Sequence, residues 1–260
     1  MTQQEEPSSR VHTLQQALMV AIQTHGFRLH YQAQNQLQTS QLVGLEALCR
    51  LHTNALGDVS PEEFIPLAEN NGLIQQVEQI VLAQVARDLP LLYARYPDAR
   101  ISVNLSARHI AAPDFFTVIE AWLTGLPANI VKQLDFEITE TCFQYISPQF
   151  VQGLQALRQR GIRIVMDDFG SGQSSLSRLH TLPFDVIKLD KQFAQQLDHP
   201  MVHAIVKAAI EFTRQFNIGL VIEGVETLQQ SQTLQAIGGD IAQGFLFGKP
   251  APLSHWLQQQ

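Results

Sequence analysis

Eight short β-rich runs, most of them separated by amphipathic helical stretches, constrain this chain more than any other feature. They are Phe27–Ala33, Leu42–Leu48, Ile101–Leu105, Gln133–Ile138, Ile162–Asp167, Val186–Leu189, Leu220–Glu223 and Ile241–Phe245. Strands that alternate with helices bury their apolar faces in few ways, and eight such units match a β/α barrel, which typically takes about 250 residues. The chain has 260. No helix separates the first two runs, so a hairpin antiparallel to the rest is expected there. The expected fold is therefore α/β, a modified TIM (β/α)8 barrel with an antiparallel first strand. An open doubly wound sheet is the runner-up, disfavoured because no Gly-rich phosphate loop follows the first strand.

Helix boundaries support this reading. Val11–Thr24 carries Leu14, Leu18 and Ile22 at helical spacing and ends at His25-Gly26. Residues 1–10 before it read as a flexible polar tail, and residues 11–260 as a single domain. Ser60-Pro61-Glu62-Glu63 sets a cap, a first-turn proline and a capping-box glutamate in order. Ser147-Pro148 opens a helix that runs to Gly161, and Pro200 opens a long one with Val202, Ile205, Val206 and Ile210.

Hydrophobic residues make up 45% of the chain, enough for a large core, and a formal net charge of −7 argues against a polymeric nucleic-acid partner. Cys49 and Cys142 lie among apolar residues without metal-type spacing, as inert thiols of a reducing compartment do. Met1–Arg10 has no basic or apolar leader, and no run approaches the roughly 18 apolar residues of a membrane span. A cytoplasmic protein without a membrane partner is expected.

Polar residues fall at telling places in the strands. Glu46 interrupts Leu42–Leu48; Asn104 and Glu137 come late in theirs. Asp167 and Asp168 end the fifth, Lys188 sits in the sixth, Glu223 ends the seventh and Gln243 follows Ile241-Ala242. In a barrel these converge on the C-terminal rim, where barrel enzymes place catalysis. A charge in a buried strand is costly unless paired or metal-bound, and seven strands each giving one polar residue to one rim point to a site. Carboxylates and an amide oxygen, with no histidine or cysteine among them, suit hard cations such as Mg²⁺ or Mn²⁺. The adjacent pair Asp167-Asp168 lets one carboxylate bridge two ions, an arrangement suited to in-line attack at phosphorus. Lys188 is placed to address the attacking water or a phosphate oxygen. Asp168–Ser175 is a Gly-containing loop able to close over substrate.

In order, Gly44-Leu-Glu-Ala-Leu-Cys-Arg50, Val103-Asn-Leu-Ser-Ala107, Phe136-Glu-Ile-Thr-Glu140, Asp167-Asp-Phe-Gly-Ser-Gly172, Ile187-Lys-Leu-Asp190, Glu223-Gly-Val-Glu226 and Gln243-Gly-Phe245 resemble the EAL-domain family, from about Phe27 to Pro250. The resemblance implies hydrolysis of the bacterial second messenger cyclic di-GMP to linear pGpG with two Mg²⁺ or Mn²⁺ ions. It implies Glu46, Asn104, Glu137 and Asp167 as first-metal ligands, with Asp167, Asp168 and Glu223 on the second. Lys188 would position the water, with Gln243 beside it and Glu46 and Glu223 among the catalytic carboxylates. Glu140 would anchor the loop after Asp168, and Glu226 would be a supporting carboxylate. Arg50 and Gln32 would contact a phosphate and a guanine edge, and Asp190 would stand near the second metal. Ala33, Leu51, Ser171 and Gln173 depart from the family's usual Pro, Trp, Thr and Tyr. None is a metal ligand. Calcium is expected to occupy the carboxylates and inhibit.

Two other classes remain open at this level: a catalytically silent cyclic di-GMP receptor or protein-binding EAL-like module, and a metal-dependent lyase or aldolase. No GGDEF-like cyclase motif is present. The nine histidines fit no ligand spacing. Glu62 and Glu63 read as caps, Glu78, Arg87 and Asp88 as a solvated helix face, and Asp135 as pointing out of its strand. The helix over 200–216 offers apolar surface compatible with a homodimer.

Overall fold

The computed structural model describes residues 7–171 and 181–259, with side chains from Arg10 onward. Ten strands form one sheet: β1 (Phe27–Gln36), β2 (Leu42–Thr53), β3 (Gly57–Val59), β4 (Arg100–Leu105), β5 (Leu134–Thr139), β6 (Arg163–Phe169), β7 (Val186–Leu189), β8 (Gly219–Ile222), β9 (Ile241–Gln243) and β10 (Ala251–Pro252). The ladder runs β1-β9-β8-β7-β6-β5-β4-β2, and an additional β1–β2 pairing closes it into an eight-stranded barrel. β1 is antiparallel to both of its barrel neighbours, β2 and β9, while the other barrel pairs are parallel. The expected hairpin and barrel are thus present. β3 and β10 add short antiparallel flaps on β2 and β1 that were not among the expected strands.

The barrel is wrapped by helices, the long ones being α1 (Pro7–Thr24), α2 (Pro61–Asn70), α3 (Ile74–Arg95), α4 (Phe115–Thr124), α5 (Pro148–Gln159), α6 (Pro200–Gln215) and α7 (Leu228–Ala236). Alternate strand residues explain the packing, because successive strand side chains point to opposite faces. Ile101, Val103, Leu105, Phe136, Ile138, Ile164, Met166, Ile187, Leu189 and Ile222 face the helices in one continuous core. The other parity faces the barrel axis in layers. Arg100, Asp135 and Arg163 form the floor, and Val165, Val186 and Val221 with Ile241 form a small apolar plug above it. The next inward positions toward the strands' C-terminal ends are the polar residues singled out from the sequence.

Several expectations are corrected. α1 begins at Pro7 rather than Val11, and Arg10 on it pairs with Glu63 at 2.7 Å, so the helix reaches into the stretch read as a tail. That pairing also removes Glu63 from the expected capping box: Ser60 accepts from the Glu62 N–H, while Glu62 itself pairs with Lys191. Asp135 points into the barrel, where Arg100 (2.6 Å) and Arg163 (2.5 Å) hold its buried carboxylate. It stands two residues before Glu137, so the two must share a face.

Glu78 is also buried, not solvated. Its carboxylate takes the Ser106 N–H at 2.6 Å and pairs with buried His109, and Asp88 accepts from the Tyr31 hydroxyl at 2.7 Å. On α6, Val206 and Ile210 are buried while Met201 and Ile205 are exposed. Burial pushes the thiols of Cys49 and Cys142 up to about 12, which keeps both protonated. No described helix is long and apolar enough to cross a membrane.

Candidate metal centre

At the C-terminal rim of the barrel, Lys188 from β7 projects inward and is 1% exposed. A buried ammonium without partners costs several kcal/mol, and four carboxylates surround this one. Its Nζ lies 2.7 Å from Glu137, 2.7 Å from Glu223, 3.0 Å from Asp167 and 3.4 Å from Glu46. Those acids come from β5, the end of β8, β6 and β2, so parallel strands at one height deliver them to a single point.

The acids form two groups. Glu46, Glu137 and Asp167 bring ligand oxygens within 4.8 Å of one another, and so do Asp167, Asp168 and Glu223. Asp167 belongs to both. Neighbouring strand residues normally face opposite sides, so Asp167 and Asp168 can share a site only if the strand is deformed between them. Asp168 has φ 55°, and the β6–β7 register shifts between Met166 and Phe169, a bulge that re-aims the second carboxylate. A non-glycine residue there is strained, and such strain concentrates at functional sites.

Five acids against one lysine leave an excess of negative charge. Burial pushes Glu137 well above the usual carboxylate range despite the opposing pull of Lys188, and it carries Glu223 up to about 8. Burial and the adjacent Asp167 raise Asp168 to about 6. Glu46 goes the other way: burial opposes its ionisation, but Lys188 and the amides of Gln243 and Asn104 outweigh it and hold the carboxyl low. Glu137 Oε1 and Asp167 Oδ1 are buried and accept no hydrogen bond, although the latter is an ion-pair atom 3.0 Å from Lys188. Unfilled buried acceptors are costly. An all-oxygen donor set with surplus charge, orphaned oxygens and a shared aspartate fits two hard divalent cations.

The amides complete the set. Asn104 Nδ2 donates to Glu46 Oε1 at 2.7 Å. An ionised carboxylate only accepts, so the NH₂ must face Glu46, which leaves the Asn104 oxygen as the atom able to ligate. Gln243 Nε2 donates to Glu46 Oε2 at 2.5 Å and to Gln32 Oε1 at 3.1 Å, and the same Glu46 oxygen lies 3.4 Å from Lys188 Nζ.

A cleft of about 670 Å³ opens above the acids, walled by β2, α2 and α3, and Gln32, Arg50 and Glu226 line it. Gln32 is buried and its NH₂ donates to Gly248 O at 3.1 Å. Arg50 donates to Cys49 O at 2.9 Å, and Glu226 is exposed on the rim. Asp190 is not among the lining residues. One of its oxygens caps the short helix Lys191–Gln195 through the Gln192 N–H at 2.8 Å, although its charge still acts on Asp168. Glu140 Oε1 accepts the Gly170 N–H at 3.0 Å, tethering the chain just past Asp168. Gly170 has φ 89°, and a Cβ there would meet the Phe193 ring at 2.5 Å, so only glycine suits that turn. Gln173 and the rest of the loop after Ser171 lie outside the described residues.

The sequence reading missed Glu69, Glu78, Ser106 and Lys191, which line the same cleft. For Glu78 a signal existed. It shares the helical face of Ile74, Val77, Val81 and Val85, where a carboxylate is out of place.

The model of the EAL domain family matches residues 15–250. "Cyclic di-GMP phosphodiesterase NbdA" of Pseudomonas aeruginosa is 34% identical over 249 residues, covering 93% of this chain and 31% of that protein. Among solved structures, "PaMucR Phosphodiesterase, c-di-GMP complex" superimposes with a TM-score of 0.85 at 34% identity, covering 94% of this chain and 99% of that one. "EAL Enzyme Bd1971" in its cAMP- and cyclic-di-GMP-bound form gives 0.89 at 26% identity, covering 97% and 69%. The chain spans between 27% and 35% of the length of the curated relatives it matches.

Proposed function

The chain belongs to the EAL-domain family, and from that premise we propose that it hydrolyses cyclic di-GMP to linear pGpG with two Mg²⁺ or Mn²⁺ ions. The observation that carries this reading is the pair of carboxylate groups sharing Asp167, with Lys188 buried between their members. Glu46, Asn104, Glu137 and Asp167 would hold the first ion, and Asp167, Asp168 and Glu223 the second. Bound there, the ions supply Lewis acidity to a phosphoryl oxygen and a more acidic water.

The chain's own groups do the rest. Lys188 Nζ, buried among the acids with three N–H donors, offsets the carboxylate charge and orients the attacking water. Water attacks phosphorus, one P–O ester bond breaks, and the departing ribose oxygen takes up a proton. Glu223, 2.7 Å from Lys188, is the carboxylate that would take the proton from the water, while Glu46, both of whose oxygens already accept amide N–H groups, contributes as a charged ligand. Gln243 holds Glu46 in position. Arg50, charged and half-buried on the cleft wall, suits the phosphate that is not cleaved. Gln32 has one NH₂ hydrogen left for a guanine edge after its bond to Gly248.

Incubating the protein with cyclic di-GMP and Mn²⁺ and separating the products by chromatography tests the reading. Appearance of pGpG is expected. Binding without product in both Mg²⁺ and Mn²⁺ would establish a silent receptor instead.

A further inference from the structure

Behind the acids, on the side of β1, lies a second tier of buried amides. Gln34 on β1 stands opposite Gln243 of β9 and opposite Gly44 of β2, and it is 5% exposed. A Cβ at Gly44 would come within 2.6 Å of Gln34 Oε1, so the glycine opens the notch in which the Gln34 amide lies. From there Gln34 Nε2 donates to Gln243 Oε1 at 3.0 Å.

We propose that Gln34 is a positioning residue for the metal centre: by holding the oxygen of Gln243, it keeps the Gln243 NH₂ turned toward the Glu46 carboxylate. A primary amide has one acceptor oxygen and one NH₂ group. With its oxygen engaged by Gln34, Gln243 presents its NH₂ to Glu46 Oε2 at 2.5 Å and to Gln32 Oε1 at 3.1 Å. Turned over, it would set an oxygen against both. Gln32 cannot accommodate that turn without breaking its own bond to Gly248 O. Glu46 is then fixed from two sides, by Gln243 on Oε2 and by Asn104 on Oε1. Among the described residues, the Gln34 side chain donates its hydrogen bond to Gln243 and to no metal ligand of the proposed set. It acts two hydrogen bonds away, through Gln243 on Glu46, and partners that orient metal ligands typically change affinity 10- to 100-fold when lost. A residue needed only to fill space would be replaceable by an apolar one of the same length.

The inference takes its importance from the hydrolase reading, but its test does not depend on cleavage. Two variants of the full chain separate orientation from packing. Gln34→Met keeps length and volume and removes the donor. Gln34→Glu keeps shape and places an acceptor against the Gln243 oxygen, which drives the amide to turn over. Mn²⁺ titration by calorimetry is the readout, with the thermal midpoint of the metal-free protein measured alongside. Gln34→Met is expected to bind Mn²⁺ several-fold more weakly, and Gln34→Glu about 10- to 100-fold more weakly. The turnover defect of Gln34→Met should shrink at saturating Mn²⁺, because the ion is retained less well rather than used less well. Should Gln34→Glu not fold, Gln34→Met decides alone. Wild-type Mn²⁺ affinity in Gln34→Met, whatever its melting temperature, overturns the proposal. A wild-type protein that binds Mn²⁺ yet leaves cyclic di-GMP intact overturns the proposed function and leaves this comparison in force.

Discussion

Lys188 Nζ lies 2.7 Å from Glu137 Oε2, and both side chains are sealed from solvent inside the barrel. The pair stands between the open cleft and the apolar plug of Val165, Val186 and Val221. A charge pair here is costly to assemble and more costly to split, since removing one partner leaves the other buried and uncompensated.

Replacing the lysine therefore has two consequences. In Lys188→Met, turnover is expected to fall about 10²- to 10⁴-fold, while cyclic di-GMP affinity measured in Ca²⁺ changes little, because the ammonium addresses the water rather than the ground-state ligand. Without divalent ions the variant should also be less stable, on the order of 3–5 kcal/mol, and Mn²⁺ should recover much of that by neutralising the acids. Denaturant unfolding with and without Mn²⁺ reads the second effect. An unchanged rate with lost binding would reassign Lys188 to the substrate.

Asp167 is the residue common to both acid groups. Asp167→Ala is expected to lower the number of Mn²⁺ ions bound and to abolish detectable hydrolysis, since both ions lose a ligand. Calorimetric stoichiometry and product chromatography check it together. Near-wild-type turnover in this variant would contradict the two-ion arrangement.

The raised acids set a pH dependence. Glu223 at about 8 and Asp168 at about 6 hold protons in the folded protein that the unfolded chain has already released. Each such group favours the fold fully below the unfolded carboxyl range and loses that contribution as pH rises through its folded value. The metal-free protein should become less stable from about pH 5 to 8. Added Mn²⁺ competes with those protons, so its stabilising effect should grow over the same range. Thermal melts across pH, with and without Mn²⁺, measure both slopes. A Mn²⁺ shift that shrinks with rising pH would contradict the assignment.

The barrel floor should behave differently from the rim. Asp135→Ala leaves Arg100 and Arg163 facing each other without their shared carboxylate, and a loss of about 3–5 kcal/mol is expected. The hydrogen bonds described for the Asp135 carboxylate go to the two arginines and none to the acids above, so Mn²⁺ affinity of the folded fraction should stay within about twofold. A large drop in affinity would show the two layers to be coupled.

Most of this architecture was legible because the barrel strands carry two signals at once. Outward positions such as Val103, Phe136 and Ile187 are apolar, and the inward residues Asn104, Glu137 and Lys188 break the pattern at the same end of each strand. The antiparallel first strand followed from the missing helix between two β-rich runs. Parity placed Asp135 beside Glu137 on the inner face, and the opposite reading neglected the two-residue period. The buried Glu78–His109 pair lay hidden because its partners come from α3 and the short helix Ala107–Ile110 after β4, 31 residues apart. β3 and β10 are only three and two residues long, too short for any periodicity to register. The grouping of Asp168 with Asp167 was expected, but the backbone conformation that permits it was not readable. Adjacency alone predicts opposite faces, and only the left-handed backbone at that residue brings both aspartates to one site.

Exchange of the cation tests the central claim most directly. Mg²⁺ and Mn²⁺ accept compact octahedral coordination, with Mg–O distances of roughly 2.0–2.1 Å, whereas Ca²⁺ takes six to eight oxygens at about 2.3–2.6 Å. Calcium should fill the same carboxylates and still bridge a substrate phosphate, but hold and polarise the water too weakly for attack. Calorimetry for cyclic di-GMP binding and chromatography for pGpG, run on the same samples in each cation, give the answer. We expect binding without cleavage in Ca²⁺, cleavage in Mg²⁺ and Mn²⁺, and recovery of cleavage when excess Mn²⁺ is added to the calcium sample. Binding in every cation with pGpG in none would contradict the hydrolase.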